Sequence, residues 1–281
     1  MKNRGRSVWR NAGSQRCNTK NGRAAMLVIP DESLELQRLI ASAMSRHSFA
    51  LIQPSKHGVE NQEIATGVGV KWKGQYLVLT AGHVVDHCPE DTLRFFLPAR
   101  DIEFVPDQPP TRPLDLELRG LLELRQPTPP VFADHPVDLA ALILPPQPNA
   151  EECFCVIDEG AVMPARGAQV GVFGYPGATK LPMGKDYMAS PEHFFGPLDA
   201  AGSACRHDPQ QDFTVPYDLP HPAKGYSGSG VWHFPTQPIW SPQPQLCGIV
   251  ATHCAIDKVV SGFRIETIVR FLLDNEDLLR R

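Results

Sequence analysis

Apolar positions along the chain fall into short blocks cut by proline and glycine, and only near its two ends do they recur at helical spacing. Phe49-Ala50-Leu51-Ile52 opens a run of such blocks, followed by Tyr76-Leu77-Val78-Leu79, by 93–97 and by 114–124, with proline-rich breaks between them. This rhythm predicts short antiparallel strands joined by turns. Val137-Asp138-Leu139-Ala140-Ala141-Leu142-Ile143-Leu144 is too continuously apolar for a surface strand and predicts a buried one with a carboxylate at its head. Toward the N-terminus, Leu34, Leu36, Leu39, Ile40 and Met44 lie near helical spacing, which predicts a helix over 31–47 capped by Asp31 or Ser33 and packed on the outside of the first β unit. At the other end Ile265, Ile268, Val269 and Leu272 form the inward stripe of a closing helix over 264–281. Pro145-Pro146-Gln147-Pro148-Asn149 breaks regular structure and is the expected connection between two halves.

Composition narrows this picture. The 281 residues, 42% of them hydrophobic, can bury a substantial core, and 28 prolines with 22 glycines suit many strands and turns better than long helices. A net charge of −4 excludes a chain that binds nucleic acid over its whole surface. No stretch approaches the roughly 20 apolar residues of a membrane-spanning helix, so no membrane association is expected. The first 25 residues differ from the rest, with Lys2, Arg4, Arg6, Arg10, Arg16, Lys20 and Arg23 and no acid. They lack the apolar core of a secretory signal and read as a disordered basic tail, 1–30, or as an anion-binding one. That tail and the lead helix are the expected places for a protein partner. A translation start at Met26 would remove most of the tail.

Candidate chemistry centres on Gly225-Tyr226-Ser227-Gly228-Ser229-Gly230. A serine hydroxyl is a poor nucleophile at neutral pH and needs a base for its proton and donors for the oxyanion that forms. Gly225 lets the chain turn so that its own N–H and that of Ser227 can point at one spot. Taken alone, the segment could equally be a glycine-serine turn. Upstream, Tyr76-Leu77-Val78-Leu79-Thr80-Ala81-Gly82-His83 reads as a strand running into a small-residue turn that presents His83, and Asp138 heads the later apolar run.

At these residues the chain resembles the chymotrypsin-like, or trypsin-fold, serine proteases, in which Thr-Ala-x-His, Asp-Leu-Ala and Gly-x-Ser-Gly occur in that order. Other triad folds use different orders of the three residues. Thr66-Gly67-Val68-Gly69-Val70 resembles the glycine-bearing strand before the histidine. Val170-Gly171-Val172-Phe173-Gly174-Tyr175-Pro176-Gly177 is similar to the second-barrel opening of the bacterial branch. Leu246-Cys247-Gly248-Ile249-Val250-Ala251 and Ser261-Gly262-Phe263-Arg264-Ile265 resemble the paired strands that follow the serine. The likeness spans about 48–271. It implies an all-β fold of two antiparallel six-stranded β-barrels, the first (31–150, with the lead helix) carrying His83 and Asp138, the second (151–281, with the closing helix) carrying Ser227. It further implies a serine endopeptidase with His83 as base, Asp138 fixing its tautomer, Ser227 as nucleophile and the N–H groups of Gly225 and Ser227 as oxyanion hole. A polypeptide is the implied substrate, and neither cofactor nor metal is implied. An inactive peptide-binding or scaffold module of the same fold is the alternative, and an esterase would use the same site.

Two departures from the family are informative. The digestive members carry, just before the serine, an aspartate that pairs with a new N-terminus after cleavage; Tyr226 stands here, so no activation by clipping is expected. Six residues before Ser227, where the family places the floor of the first specificity pocket, stands His221, and His253 on the following strand is expected to line the same pocket as a substrate-binding residue. An aspartate-based preference for Lys or Arg is therefore not expected. Ser229 lacks the glycine two positions before it, and Asp134, His87 and His135 miss the motif positions. Seven cysteines and no secretory signal predict mostly free thiols in a reducing, cytoplasmic setting. Free buried thiols are the default for Cys153-Phe154-Cys155 and Cys205-Arg206-His207, with a structural zinc as the competing possibility.

Overall fold

The computed structural model describes residues 34–53, 63–85, 94–98, 111–114, 120–125, 138–148, 150–177, 180–183, 186–199, 212–235 and 243–280. Among them β-structure dominates, in two main sheets and one two-stranded ribbon. Helix α1 (Leu34–Ser45) leads into the strands β1 (Ser48–Gln53), β2 (Glu63–Trp72) and β3 (Gln75–Thr80), then a single helical turn, α2 (Gly82–Val85). The strands β4 (Arg94–Pro98), β5 (Thr111–Leu114), β6 (Gly120–Arg125), β7 (Asp138–Leu144) and the two-residue β8 (Cys155–Val156) complete the first sheet. Its order is β5-β4-β1-β2-β3-β7-β6, with β8 lying parallel against β2.

The second sheet contains β9 (Gln169–Gly174), β12 (Glu192–Pro197), β13 (Asp212–Pro216), β14 (Gly230–His233), β15 (Gln245–Cys254) and β16 (Val259–Arg264), in the order β12-β9-β14-β15-β16-β13. The ribbon pairs β10 (Lys180–Met183) with β11 (Asp186–Ala189). The expected antiparallel all-β character holds, with β8 as the parallel exception. The first sheet has eight strands against the six anticipated, seven along its path and an eighth, β8, returned to it by the connection after β7. At the two edges of the second sheet, Asp199 joins the strand ends: its N–H donates to Thr214 O at 2.8 Å, and its carboxylate accepts from Thr214 N–H at 2.8 Å and pairs with Arg264.

Local sequence explains the hairpin that leads to the histidine. Lys73 and Gly74 both adopt positive φ, 46° and 85°, the conformation of the tight turns whose twist matches the strands. The β3 core side chains Leu77, Val78 and Leu79 are fully buried, and β7 packs beside them with Leu139, Ala140 and Ala141 equally buried.

The lead helix sits differently from expectation. Its Met44 lies over β9 of the second sheet, where a Cβ on Gly171 would come within 2.7 Å of Met44 Sδ. Ile40 and Met44 are both fully buried, joining a core that draws on both sheets. Just after the helix, the His47 ring stacks on Trp232 of β14, with centroids 5.5 Å apart, and its carbonyl accepts from Gly69 N–H of β2 at 2.8 Å. Residues 44–48 thus wedge between the sheets instead of lying outside the first. The closing helix is also two pieces, α3 (Ile265–Asp274) and α4 (Glu276–Leu279), interrupted at Asn275, whose side chain donates to Phe271 O at 2.8 Å. The α3 residues Ile265, Ile268, Val269 and Leu272 are buried as predicted.

Among the described cysteines, Cys153, Cys155 and Cys247 form no disulfide, whereas Cys254 is disulfide-bonded. Three of the four described cysteines thus agree with the expectation of mostly free thiols, and Cys254 is the exception. Cys155 donates its S–H to Gly69 O at 3.4 Å, and burial pushes its pKa to about 12, so it stays a thiol. Cys205 and His207 lie outside the described residues. No helix among those described is long and apolar enough to cross a membrane.

Candidate active site

Thr80 ends β3, and the chain turns at once into α2, so that His83 stands exposed at the mouth between the sheets while Gly82, Val84 and Val85 are buried. The turn carrying Ser227 approaches from the second sheet. Gly225 and Gly228 adopt φ of +96° and +84°, which L side chains rarely tolerate, and a Cβ at Gly228 would overlap the Thr66 carbonyl oxygen. These two glycines bend the chain tightly enough to lift Ser227 clear of it.

The bend is held from both sides. Toward the second sheet, Gly228 N–H donates to Val250 O at 2.7 Å and Val250 N–H to Ser229 O at 2.8 Å. Toward the first sheet, Thr66 N–H of β2 donates to Ser227 O at 2.9 Å. Within the bend, Ser229 N–H donates to Tyr226 O at 2.9 Å.

His83 Nε2 lies 3.0 Å from Ser227 Oγ. Ser227 Oγ also lies 3.5 Å from Ala251 O, at the limit of a hydrogen bond, so the imidazole is the better partner for the hydroxyl proton. Ser229, in contrast, is fully buried and its hydroxyl has no partner among the described residues. Of these two serines, Ser227 is the one both accessible and within reach of a base.

Asp138 is placed through the backbone. Thr80 pairs with Ala140 at the end of the β3–β7 ladder, so Asp138, two residues before Ala140 at the head of β7, comes at the same end of the strand pair as His83, three residues after Thr80. Its side chain, like Asp134, His87 and His135, lies outside what is described.

Tyr226 fills the position taken by an aspartate in the digestive enzymes. Its ring is fully buried against Phe194, with centroids 5.4 Å apart, and burial, then the nearby Glu192 carboxylate, drives its pKa upward. Beside it, His221 has both ring nitrogens engaged internally: Nδ1 lies 3.0 Å from Pro222 O and Nε2 2.9 Å from Glu192 Oε2. Two acceptors facing one imidazole favour its doubly protonated form, and its pKa is raised, by the Pro222 carbonyl first and by Glu192 against opposing desolvation. Neither nitrogen is left to meet a substrate carboxylate. His253 lies half-buried on β15, two residues beyond Ala251 and opposite Val260. Sequence reading missed the Glu192 partner, whose signal would have been an acid on a strand otherwise aromatic.

No family model matches the chain, and no curated protein matches it. Solved structures do. An inactivated protease paralogue of the scabies mite, S-I1, superposes with a TM-score of 0.52 at 15% identity, over 84% of this chain and 96% of that one. The fold is that of the trypsin-like proteases. Rv3671c from M. tuberculosis H37Rv, solved as a serine-to-alanine mutant in its inactive form, is also similar, with a TM-score of 0.48 at 18% identity over 87% of this chain and 94% of that one.

Proposed function

We propose that this trypsin-fold chain is a serine endopeptidase, its two sheets forming the two barrels of that fold and its site acting on a polypeptide through Ser227, His83 and Asp138. The observation that carries the reading is the 3.0 Å approach of His83 Nε2 to Ser227 Oγ across the two sheets. At that distance the neutral imidazole can take the hydroxyl proton as Oγ bonds to the scissile carbonyl carbon. The resulting imidazolium then gives the proton to the leaving amine, and water repeats the sequence to release the acyl group from Ser227. Asp138, at the same end of the β3–β7 pair as His83, is the group to hold the imidazole in the required tautomer. The N–H groups of Gly225 and Ser227, neither of which hydrogen-bonds to a described residue, are the donors for the oxyanion. In this reading His221 shapes the specificity pocket through its pair with Glu192, and His253 lies along the strand that a substrate backbone would meet.

An inactive peptide-binding module is the second reading, favoured by the inactivated neighbour from the scabies mite. Labelling the full chain with a fluorophosphonate probe and locating the adduct by mass spectrometry separates the two. An adduct on Ser227 that disappears in Ser227→Ala and persists in Ser229→Ala is the expected result. Folded protein that takes up no probe overturns the enzyme reading. Amide and ester substrates compared side by side then distinguish an endopeptidase from an esterase.

A further inference from the structure

We infer that Thr66 is a positioning residue whose side-chain hydroxyl fixes the peptide unit linking the two oxyanion donors, an inference that rests on Ser227 being the nucleophile. The peptide unit is planar and trans, so each N–H points opposite to the carbonyl of the residue before it. The Gly225 N–H therefore shares its peptide unit with Lys224 O and the Ser227 N–H shares its unit with Tyr226 O, while the unit between them, Gly225 O with Tyr226 N–H, sets how the two donors are turned relative to each other. Four successive carbonyls are all anchored: Lys224 O accepts from Gly177 N–H at 2.9 Å, Gly225 O from Thr66 Oγ1 at 3.1 Å, Tyr226 O from Ser229 N–H at 2.9 Å and Ser227 O from Thr66 N–H at 2.9 Å. The two donor units are thus held by Gly177 and Ser229, and the unit that links them is held at its carbonyl by the Thr66 hydroxyl and at its N–H by Ala223 O at 3.3 Å.

Thr66 can do this because of where the β2–β3 ladder stops. The last pair is Val68 with Leu79, so two residues earlier the β3-facing edge of Thr66 has no strand beside it. Its N–H turns to Ser227 O, and its carbonyl accepts from Thr80 Oγ1 at 2.8 Å, in the residue that ends the histidine strand. The hydroxyl, having donated to Gly225 O, accepts from Tyr175 N–H at 2.9 Å. Thr66 is wholly buried and joins, in one residue, the end of the strand leading to His83, the turn of Ser227 and the exit of β9.

Gly225 is the position where this matters most. With φ at +96° and no side chain, it has other backbone conformations open to it, and Thr66 Oγ1 is what holds its carbonyl. Loss of the hydroxyl frees that carbonyl and strips Tyr175 N–H of its acceptor, while the His83–Ser227 pair keeps its own geometry.

The test compares full-length wild type, Thr66→Val, Thr66→Ser and Thr66→Ala by the second-order rate of fluorophosphonate labelling, its pH profile, and kcat and KM on an ester substrate, with thermal melting as the folding control. Thr66→Val is expected to lose about 10- to 100-fold in labelling rate and kcat, since displaced oxyanion donors cost on that order. KM and the pH midpoint are expected to stay in place, and Thr66→Ser to recover most of the rate. Should Thr66→Val melt below the assay temperature, the Ser and Ala variants decide: Ser fast and Ala slow supports the assignment. Thr66→Val or Thr66→Ala labelling at the wild-type rate overturns it, as does Thr66→Ser being as slow as the other two, which would make the methyl group the important part. Wild type that takes no probe removes the nucleophile reading itself, a different outcome from all of these.

Discussion

Replacing His47 by Phe is expected to remove a large part of the acid sensitivity of the fold. His47 is wedged between α1 and Trp232, and its burial, together with the Arg46 charge and against a hydrogen bond to the Cys153 backbone, lowers its pKa from the ordinary 6.5 to about 4. Nδ1 has no partner among the described residues, so a second proton would be placed where nothing accepts it. Below pH 6.5 the unfolded chain binds a proton that the folded chain refuses until about pH 4, so acid favours unfolding over that window. His47 thus costs no stability at neutral pH, costs progressively more as the pH falls through the window, and levels off below about 4. The gap is worth about 3 kcal/mol in full, of which about 2 kcal/mol is already lost by about pH 5, at about 1.4 kcal/mol for each tenfold in proton affinity. Phe keeps a ring against Trp232 and forfeits the hydrogen bond, a loss of about 1 kcal/mol that is the same at every pH and so leaves the predicted difference in slope intact. Urea unfolding of both proteins from neutral to about pH 4 measures the difference, since the other titrating groups are shared. Parallel losses of stability in the two proteins would refute the reasoning.

Gly225→Ala places a Cβ 2.6 Å from Gly177 N and 2.7 Å from Tyr175 O at a positive φ, so a loss of about 1–3 kcal/mol by urea unfolding and of most fluorophosphonate labelling is expected. Ser229→Ala removes a buried hydroxyl without a partner and is expected to leave stability unchanged or raise it by up to about 1 kcal/mol in the same assay; a marked drop would mean that the hydroxyl has a partner. The raised pKa of His221 adds stability that is present at acid pH and lost as the pH rises through it, so Glu192→Gln should narrow the difference in melting temperature between about pH 5 and about pH 8. Because a buried Tyr226 stands where an activating aspartate would be, removal of residues 1–33 is expected to leave the labelling rate unchanged, and faster labelling after trimming would contradict that.

The parts of the site legible in the sequence were those written in local chemistry. An apolar run ending in Thr80-Ala81-Gly82 announces His83, and glycines around Ser227 announce its bend, because both depend on residues adjacent in the chain. The strands and the buried stripe of α3 follow from periodicity for the same reason. Long-range partners leave no such trace. Thr66 reads as an ordinary β-branched strand residue, and the Gly225 carbonyl that it holds is 159 positions away. Periodicity gave the lead helix an apolar face but not the surface that covers it, which turned out to be β9 at Gly171, where a missing Cβ makes room for Met44. His221 has the sequence position of a pocket residue, yet its chemistry is set by Pro222 and by Glu192, the latter on another strand. Counting cysteines could not reveal that Cys254 is paired.

The placement of β8 separates two boundaries that usually coincide. In sequence, the chain divides at Pro145-Pro146-Gln147-Pro148. In hydrogen bonding, Cys155 and Val156, which come after that string, lie beside Val70 and Lys71 of β2 in the first sheet. A polypeptide cut at the proline string would yield an N-terminal fragment short of one strand and a C-terminal fragment carrying it as an overhang. The two pieces could reassemble only by seating that overhang, along the same β2 strand from which Thr66 reaches the Ser227 turn. Recovered labelling of Ser227 would then report the closure of a clasp, and a single strand of the first half would serve as the template for both the joint and the turn that carries Ser227.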